Sequence, residues 1–525
     1  MAEPTTRRPT GGTAPGPSAA DDYTPDPARW RALAICLAAG AMTLLDVSIV
    51  NVALPTLRVG LAADESDVQW IVAGYSLAFG LLLVPAGRLG DARSRRTVFM
   101  IGVAVFTLAS AAAGAAQDPA FLSVARIVQG LGGGLISPQV SGFIQTLFRG
   151  PERGRAFGIF GSVIGISTAV GPLLGGLLVK VGGADFGWRL VFYVNVPIGI
   201  AVIVLARKLL PANTVGSNRP RPTKDQQSLD PVGVLLFGAA ILMILWPLVQ
   251  GGQGEPLSAR PWWLVVPALV LLGAFYLWER HWRARGKATL IELSLLKVRS
   301  FVLGLALGTF YFAGFTSVFL VVTLYLQTGL GYSALQAGAT STPFAVGSAS
   351  SAYLAGRLVD RFGRLLAVTG LLLVIAGLVS IDLMVPHLDS SVGLKLAPAL
   401  FVAGFGGGMV ISPNVTLTLS EVNPRQAGSG GGMLQTAQRV GSAIGVAVVL
   451  AQFFAALART QGDYAGALST ALRTTAIFVG ISLLVAVVDL LRRRRDAEPG
   501  PGPATAGHHE PEHALDGGRR PRHAA

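Results

Sequence analysis

Apolar stretches long enough to cross a lipid bilayer recur along almost the whole chain. In a bilayer every backbone N–H and C=O group needs a partner inside the protein, and stretches of about 20 apolar residues are too long for barrel strands. The sequence therefore predicts an all-α integral membrane protein with 14 transmembrane helices. The predicted helices cover residues 31–54, 69–88, 97–116, 121–146, 155–179, 189–207, 231–250, 262–279, 301–327, 334–356, 365–386, 393–419, 427–456 and 470–491.

Composition supports the membrane class and excludes several kinds of site. Only 13% of the residues are charged, about half of the roughly 25% typical of soluble domains, so polar surface is scarce. The single cysteine, Cys36, excludes an internal disulfide framework and a cysteine-based zinc site. His509 and His513 have the H-E-x-x-H spacing of zinc proteases, but Pro511 interrupts the helix that such a site needs. We therefore expect no metal site.

Lys and Arg are distributed unevenly between alternate loops. Of the 42 such residues, 33 lie in the two termini and one set of loops. By the positive-inside rule this set faces the cytoplasm, which predicts a multi-pass protein of the cytoplasmic membrane with both termini inside. The rule also accounts for the net charge of +14 without a nucleic-acid partner. We expect disordered cytoplasmic tails at residues 1–30 and 492–525, the second of them basic.

The sequence contains an internal repeat. The segment Gly87–Arg95 matches Gly356–Arg364 at an offset of 269 residues, and Pro138 with its neighbours matches Pro413 at an offset of 275. The first match places the second predicted helix on the tenth, and the second places the fourth on the twelfth. An offset of eight helices indicates two parallel six-helix bundles with two helices inserted between them.

These matches divide the membrane part of the chain into three regions. We expect an N-terminal bundle at residues 31–207, two inserted helices with their linkers at 208–300, and a C-terminal bundle at 301–491. Parallel halves related by an axis along the membrane normal are a known transporter architecture. In that architecture the substrate binds near the midplane, between the halves.

The first repeated segment combines a glycine with an aspartate and an arginine four residues apart. That spacing puts opposite charges on one face of a helical turn, and the glycine allows two helices to approach closely. We interpret both copies as a charged latch that holds the cytoplasmic helix ends together in one conformation. Ordinary cytoplasmic charges with an incidental aspartate are the alternative. The latch residues are Gly87, Asp91, Arg95, Gly356, Asp360 and Arg364.

Two charged residues are predicted at similar depth in the outer half of the membrane. Asp46 lies nine residues before Pro55 in the first helix, and Arg126 lies eight residues after Asp118 in the fourth. An ionised carboxylate inside a span costs about 2.5–3.5 kcal/mol on insertion scales, so exchange of a proton is chemically accessible. We predict that Asp46 carries the coupling proton and that Arg126 pairs with it. A static structural ion pair is the alternative.

Arg439 is the other cation that lies well away from the ends of a predicted helix, and Gln435 lies one turn before it. These two residues are candidates for contact with a substrate. Hydrogen bonding of Arg439 to helix carbonyl groups is an equally good interpretation.

The fifth predicted helix is rich in small residues. Gly171, Gly175 and Gly176 permit close packing against a neighbouring helix, and Pro172 removes one backbone donor and bends the helix. A hinge or a tight seal between helices is one interpretation. General small-residue packing without a role in transport is the other.

Five segments together resemble the major facilitator superfamily, and specifically its fourteen-spanner drug:proton antiporter branch. The resemblance covers residues of about 30–491. Ser94 stands where the loop motif of the family usually has glycine. The matching segments are Leu45–Pro55, Gly87–Arg96, Arg126–Gly130, Gly171–Gly176 and Trp188–Gly199.

The resemblance implies a major facilitator fold and a transport function. It implies export of lipophilic, often cationic or antibiotic-like compounds by alternating access, coupled to inward flow of protons. The expected partners are the lipophilic substrate, protons and the lipid bilayer, with no cofactor besides the proton gradient, and the protein is expected to function as a monomer. A dedicated single-metabolite exporter and a facilitator-type importer are the alternatives. A membrane-embedded enzyme or sensor is disfavoured because the sequence has neither a catalytic cluster nor a signalling domain.

Overall fold

The protein is described by a computed structural model at residues 27–211, 230–249, 258, 260–287, 289–387, 391–423 and 426–497. These ranges contain fourteen long α helices, so the predicted all-α class and helix number are confirmed. The helices are α1 (Arg29–Gly60), α2 (Glu65–Ala92), α3 (Arg95–Gly114), α4 (Pro119–Leu147), α5 (Gly150–Tyr193), α6 (Asn195–Leu209), α7 (Pro231–Val249), α8 (Val265–Ala284), α9 (Arg299–Leu324), α10 (Ala334–Phe362), α11 (Arg364–Met384), α12 (Val392–Thr418), α13 (Ala427–Arg459) and α14 (Tyr464–Ala497).

Thirteen segments of the described chain are long and apolar enough to cross a membrane. Helix α10 is not among them, because Ser, Thr and Gly occupy much of its length. Its length of 29 residues still suffices to span a bilayer. Hydropathy alone therefore underestimates a helix that is packed mainly against other helices.

The boundary between the fifth and sixth spans differs from the prediction. Backbone hydrogen bonding continues through α5 to Tyr193, but Gly183 interrupts the helical dihedrals with a φ of 72° and a ψ of −170°. Glycine adopts this left-handed region without the steric cost that a Cβ atom brings. The sixth span consequently begins at Asp185 rather than at residue 189.

The last helix continues to Ala497, so six residues assigned to the C-terminal tail are helical. Arginine is a good helix former, and basic residues are favourable near a helix C-terminus, which explains why the run at 492–495 extends the helix. The N-terminal tail predicted at residues 1–30 likewise ends earlier, because α1 already begins at Arg29. Residues 1–26 and 498–525, including His509 and His513, and most of the linker before α7 lie outside the described residues.

Helix packing repeats along the chain. Helix α1 packs against α5, α2 against α4, and α3 against α4. The same pairings recur eight helices later, as α9 with α13, α10 with α12, and α11 with α12. The internal sequence repeat is therefore matched by a repeat in helix packing, while the proposed domain boundaries stay predictions.

The two sets of helices meet along α5 with α10 and along α2 with α13. At the α5–α10 crossing a Cβ atom placed on Gly356 would lie 2.5 Å from the Cα atom of Gly158, so both positions require glycine. Helices α7 and α8 pack against each other, and α7 also contacts α2. A Cβ atom added to Gly238 of α7 would lie 2.5 Å from Cδ1 of Leu81 on α2. The inserted pair is thus attached to α2.

Candidate functional site

A buried carboxylate in the middle of α1 accepts hydrogen bonds from three side chains. The Oδ2 atom of Asp46 accepts from Nη1 of Arg126 at 2.6 Å. Its Oδ1 atom accepts from Nε2 of Gln129 at 2.7 Å and from Nδ2 of Asn195 at 2.9 Å. Asp46 has no exposed surface, and the three donors are 2% exposed or less. Burial of this charge is offset because every donor is aimed at it.

A second layer holds the donors in place. Nη1 of Arg126 also donates to Oε1 of Gln129 at 2.6 Å, and Nε of Arg126 donates to the carbonyl oxygen of Ile71 at 3.2 Å. The guanidinium carbon lies 4.2 Å from the centroid of the Tyr75 ring, a cation–π contact. Nε2 of Gln129 donates to Oγ of buried Ser110 at 2.8 Å. The Asp46 network therefore draws on α1, α2, α3, α4 and α6.

The predicted approach of Asp46 and Arg126 is present, whereas the amide donors were missed. Gln129 follows Arg126 by three residues, a spacing that places both on one helix face. Asn195 lies in the segment from Trp188 to Gly199 that resembles the antiporter branch. Both residues could therefore have been predicted from the sequence by searching these segments for uncharged partners of Asp46.

The first copy of the latch joins the two halves. Asp91 accepts from Nη2 of Arg95 at 2.6 Å, and both side chains are buried. The same carboxylate accepts from the backbone N–H of Gly428 at 3.0 Å and from the N–H and Oγ of Ser429 at 2.8 and 3.0 Å. The first N–H groups of a helix lack partners within it and favour negative charge. Asp91 therefore caps α13 at the end predicted to face the cytoplasm.

The local geometry of the latch differs from a single helical turn. Asp91 lies near the end of α2 and Arg95 begins α3, so the pair closes a junction between helices. Ser94 precedes α3 with extended backbone, and its hydroxyl accepts from the N–H of Thr97, which explains why glycine is not needed there. A Cβ atom on Gly87 would lie 2.2 Å from the carbonyl oxygen of Gly428.

The predicted pair of Asp360 with Arg364 in the second copy is wrong. Arg364 is buried and donates through Nε to Asp489 of α14 at 2.5 Å and through Nη1 to Oδ1 of Asn414 at 2.7 Å. Asp360 is exposed near the end of α10. Gly363, with a φ of 51°, separates the end of α10 from the start of α11, so the two residues do not share a helical turn. Arg364 of the second copy therefore ties α11 to α12 and α14 within one half, while Gly356 packs closely against Gly158 of α5.

The small residues of α5 contact helices on two sides. A Cβ atom on Gly171 would lie 2.3 Å from Cβ of Ser48, and one on Gly175 would lie 3.1 Å from the carbonyl oxygen of Ile49. Pro172 and Gly176 face α10 instead, where the nearest atoms are those of Gly338 and Leu335. The predicted close packing is present, and its α1 side lies two and three residues after Asp46. A hinge role stays a prediction.

The two substrate-contact candidates on α13 have different surroundings. Nε2 of Gln435 donates to the carbonyl oxygen of Ser137 and to Oγ of Ser141 on α4, each at 3.2 Å. Gln435 therefore bridges the halves. Arg439 is half-buried, and its guanidinium carbon lies 4.3 Å from the centroid of the Phe79 ring on α2.

Comparison with known proteins identifies the family. Residues 36–446 match the family described as the Major Facilitator Superfamily. The chain belongs to the major facilitator superfamily. It is accordingly a membrane transporter of small molecules and not an enzyme, as the fold and the sequence motifs predict.

Curated relatives from actinomycetes match most of the chain. A probable actinorhodin transporter of Streptomyces coelicolor is 39% identical over 451 residues, which cover 85% of this chain and 75% of the relative. The puromycin resistance protein pur8 of Streptomyces alboniger is 34% identical, with coverage of 88% and 91%. The tetracenomycin C resistance and export protein of Streptomyces glaucescens is 31% identical, with coverage of 80% and 75%.

Solved structures show the same fold at lower identity. The proton:xylose symporter XylE superposes with a TM-score of 0.59 and 17% identity, covering 88% of this chain and 95% of that one. The transporter FucP in its outward conformation superposes with a TM-score of 0.56 and 13% identity, covering 88% and 99%. The predicted major facilitator fold is therefore confirmed.

Proposed function

We propose that this transporter exports lipophilic, antibiotic-like compounds from the cell in exchange for protons. The observation that carries the proposal is the Asp46 network, a fully buried carboxylate held by one cationic and two neutral donors. The names of the relatives, which mention actinorhodin, puromycin and tetracenomycin C, favour antibiotic-like compounds as the substrates.

Proton exchange at Asp46 would act through its partners. A proton on Oδ2 would cancel the charge that Arg126 meets at 2.6 Å and leave a buried guanidinium without its counterion. The helices that carry the two groups, α1 and α4, would then favour a different arrangement. Binding and release of the proton thus bias one of two conformations, which is the requirement for coupling to alternating access.

The latch residues hold one end of the transporter closed in one of the two conformations. The contact of Asp91 with the first turn of α13 stabilises the arrangement in which α2 and α13 meet. Opening that end requires Asp91 to give up three hydrogen bonds, so the latch sets the balance between the two conformations. We place this end on the cytoplasmic side of the cytoplasmic membrane, with both termini in the cytoplasm and the monomer as the working unit.

A dedicated exporter of one metabolite is the second candidate. The relatives named after single antibiotics favour it, whereas the multidrug resistance protein Stp of Mycobacterium tuberculosis, 32% identical with coverage of 78% of this chain and 73% of that one, favours a broad range. The two functions differ only in how many chemically distinct compounds the protein moves.

The test is accumulation of a diverse compound panel in everted membrane vesicles that carry the protein. An imposed gradient, acid inside, should drive accumulation of the substrates, and a protonophore should abolish it. Proton release from the lumen upon substrate addition should accompany uptake. Accumulation that ignores the gradient, or substrate movement in the opposite direction only, would refute proton-coupled export. Accumulation of one compound alone would select the dedicated exporter.

A further inference from the structure

A single cation on α13 reaches the middle of the molecule. Arg439 lies twelve residues after the start of α13, which puts it about 18 Å along the helix. Its guanidinium stacks on the face of the Phe79 ring with 4.3 Å between the guanidinium carbon and the ring centroid. A guanidinium stacked in this way keeps its N–H edge available for a planar anion, which it can bind through two parallel hydrogen bonds.

The charge of Arg439 is not balanced by the residues that the structure describes. In that part of the chain no carboxylate lies within 4.0 Å of it, and its guanidinium donates no hydrogen bond. Asp46 is not available as a counterion, because both of its oxygens already accept from Arg126, Gln129 and Asn195. A cation at this depth is unfavourable unless an anion or water meets it.

Arg439 faces the space between the two halves. On the same helix, Gln435 donates a hydrogen bond to α4. A Cβ atom added to Gly432 would lie 2.5 Å from the carbonyl oxygen of Leu83 on α2. Arg439 lies one turn beyond these contacts, toward the membrane midplane. Between parallel halves this is the position at which transporters of this architecture bind substrate.

Two aromatic rings connect Arg439 with the Asp46 network. The Phe79 ring that carries Arg439 has its centroid 5.9 Å from that of Tyr75, and Tyr75 in turn contacts the guanidinium of Arg126. An anion bound by Arg439 would therefore lie beside an apolar aromatic surface. It would also lie two rings away from the group that exchanges the proton.

We propose that Arg439 binds an acidic group of the substrate, so that the transported compounds are lipophilic organic anions with an aromatic ring system, such as aryl carboxylates or phenolates. This inference rests on the proposed export function and specifies its substrate class. It differs from the cationic compounds that the family resemblance implies. The acidic group supplies the charge that Arg439 lacks, and the ring system packs beside Phe79 and Tyr75.

The test measures equilibrium binding of two probes that share one ring system and differ in charge. The probes are 9-anthracenecarboxylate, an anion at neutral pH, and 9-(aminomethyl)anthracene, a cation. The full-length protein in lipid nanodiscs should bind the anion at least about tenfold more tightly than the cation, as expected for a charge-assisted contact in a partly buried site. Arg439→Gln should remove this difference. Arg459→Gln, which neutralises an exposed arginine on the same helix, should leave it unchanged.

Arg439→Lys extends the test to a variant that keeps the charge and loses the planar fork. It should keep a preference for the anion that is weaker than that of the wild type. Equal or tighter binding of the cation, binding of neither probe, or an equal loss of both probes in Arg439→Gln would overturn the proposal. Because no proton gradient is present, the result does not depend on coupling. A protein that prefers the anion but fails to export in everted vesicles would refute the proposed function and leave only the anion-binding site at Arg439 standing.

Discussion

In the N-terminal half the buried pair of Asp46 and Arg126 lies in the middle of α1 and α4, whereas in the C-terminal half the buried pair of Arg364 and Asp489 lies toward the ends of α11 and α14. The positions that correspond to Asp46 and Arg126 at the repeat offsets hold Phe315 and Phe401. Similar helix packing therefore carries different chemistry at the same depth.

The difference extends to what surrounds each pair. Phe315 belongs to a group of rings on α9 and α10 with centroids 4.7–5.8 Å apart, and this group contains no charge. Such a cluster stabilises by burial and ring geometry, and it contains no carboxylate that could serve as Asp46 does. We infer that proton exchange belongs to the N-terminal half, while the charged pair of the C-terminal half fixes helices in place.

Of the substitutions that distinguish the two halves, neutralising Asp46 should have the largest effect on transport. Asp46→Asn keeps the shape and one acceptor but cannot take up and release a proton. We expect gradient-driven export in everted vesicles to fall by about 100-fold or more, the scale associated with losing a proton-transfer group. Phe315→Leu, at the matching position of the other half, should leave export coupled to the gradient.

Glu421→Gln is the control for removal of an acidic group, because Glu421 is exposed and lies outside the site. Expression and thermal unfolding of all three variants should be measured alongside transport. Unchanged gradient-driven export by Asp46→Asn would remove Asp46 from the mechanism. Loss of coupling in Phe315→Leu would contradict the assignment of proton exchange to one half.

The pair in the C-terminal half should matter for stability. Asp489→Ala leaves the buried guanidinium of Arg364 without its counterion, so the free energy of unfolding should fall by about 3–5 kcal/mol. The double variant Arg364→Met with Asp489→Leu should recover most of that loss, because no charge is then buried. Transport per folded molecule should stay close to that of the wild type. The measurement is thermal unfolding in detergent together with transport.

An exposed pair on the same helices provides the comparison. Arg473 of α14 bonds to Asp382 of α11 at 3.0 Å, and its side chain is 72% exposed. Asp382→Ala should therefore change stability by only about 0–1 kcal/mol. Equal losses from Asp489→Ala and Asp382→Ala would show that burial does not govern the Arg364 pair.

The two copies of the latch should respond differently to removal of their aspartates. Asp91→Ala removes three hydrogen bonds that join α2 to the start of α13. We expect turnover to fall about tenfold, an effect of roughly 1.4 kcal/mol, while substrate affinity changes little. Asp360→Ala should alter neither quantity by more than about twofold, because Asp360 is exposed and does not bond to Arg364. Weaker substrate binding by Asp91→Ala at normal turnover would contradict the latch.

The depth of Asp46 and Arg126 could be predicted because both helices have identifiable ends, from which residues can be counted. The two latch aspartates could not be told apart, because the outcome depends on contacts that are distant in sequence. Asp91 bonds to a residue of α13 that lies 337 positions later in the sequence, and Arg364 bonds to Asp489, 125 positions later. Spacing within a motif predicts which groups share a helix face, but only the folded chain decides which neighbouring helix supplies the partner.

The smallest effect on transport should come from substitutions on the two sides of α5. Gly171→Ala brings a Cβ atom to within 2.3 Å of the Cβ atom of Ser48, next to the Asp46 network, so α1 and α5 must move apart. We expect a loss of about 1–3 kcal/mol in the free energy of unfolding and a measurable fall in gradient-driven export. Gly176→Ala meets its nearest atom, on α10, at 3.7 Å and should be tolerated, with a change below about 0.5 kcal/mol. Equal tolerance of both substitutions would show that α5 packs loosely on α1, and the close contact beside Asp46 would then have no part in holding the proton site.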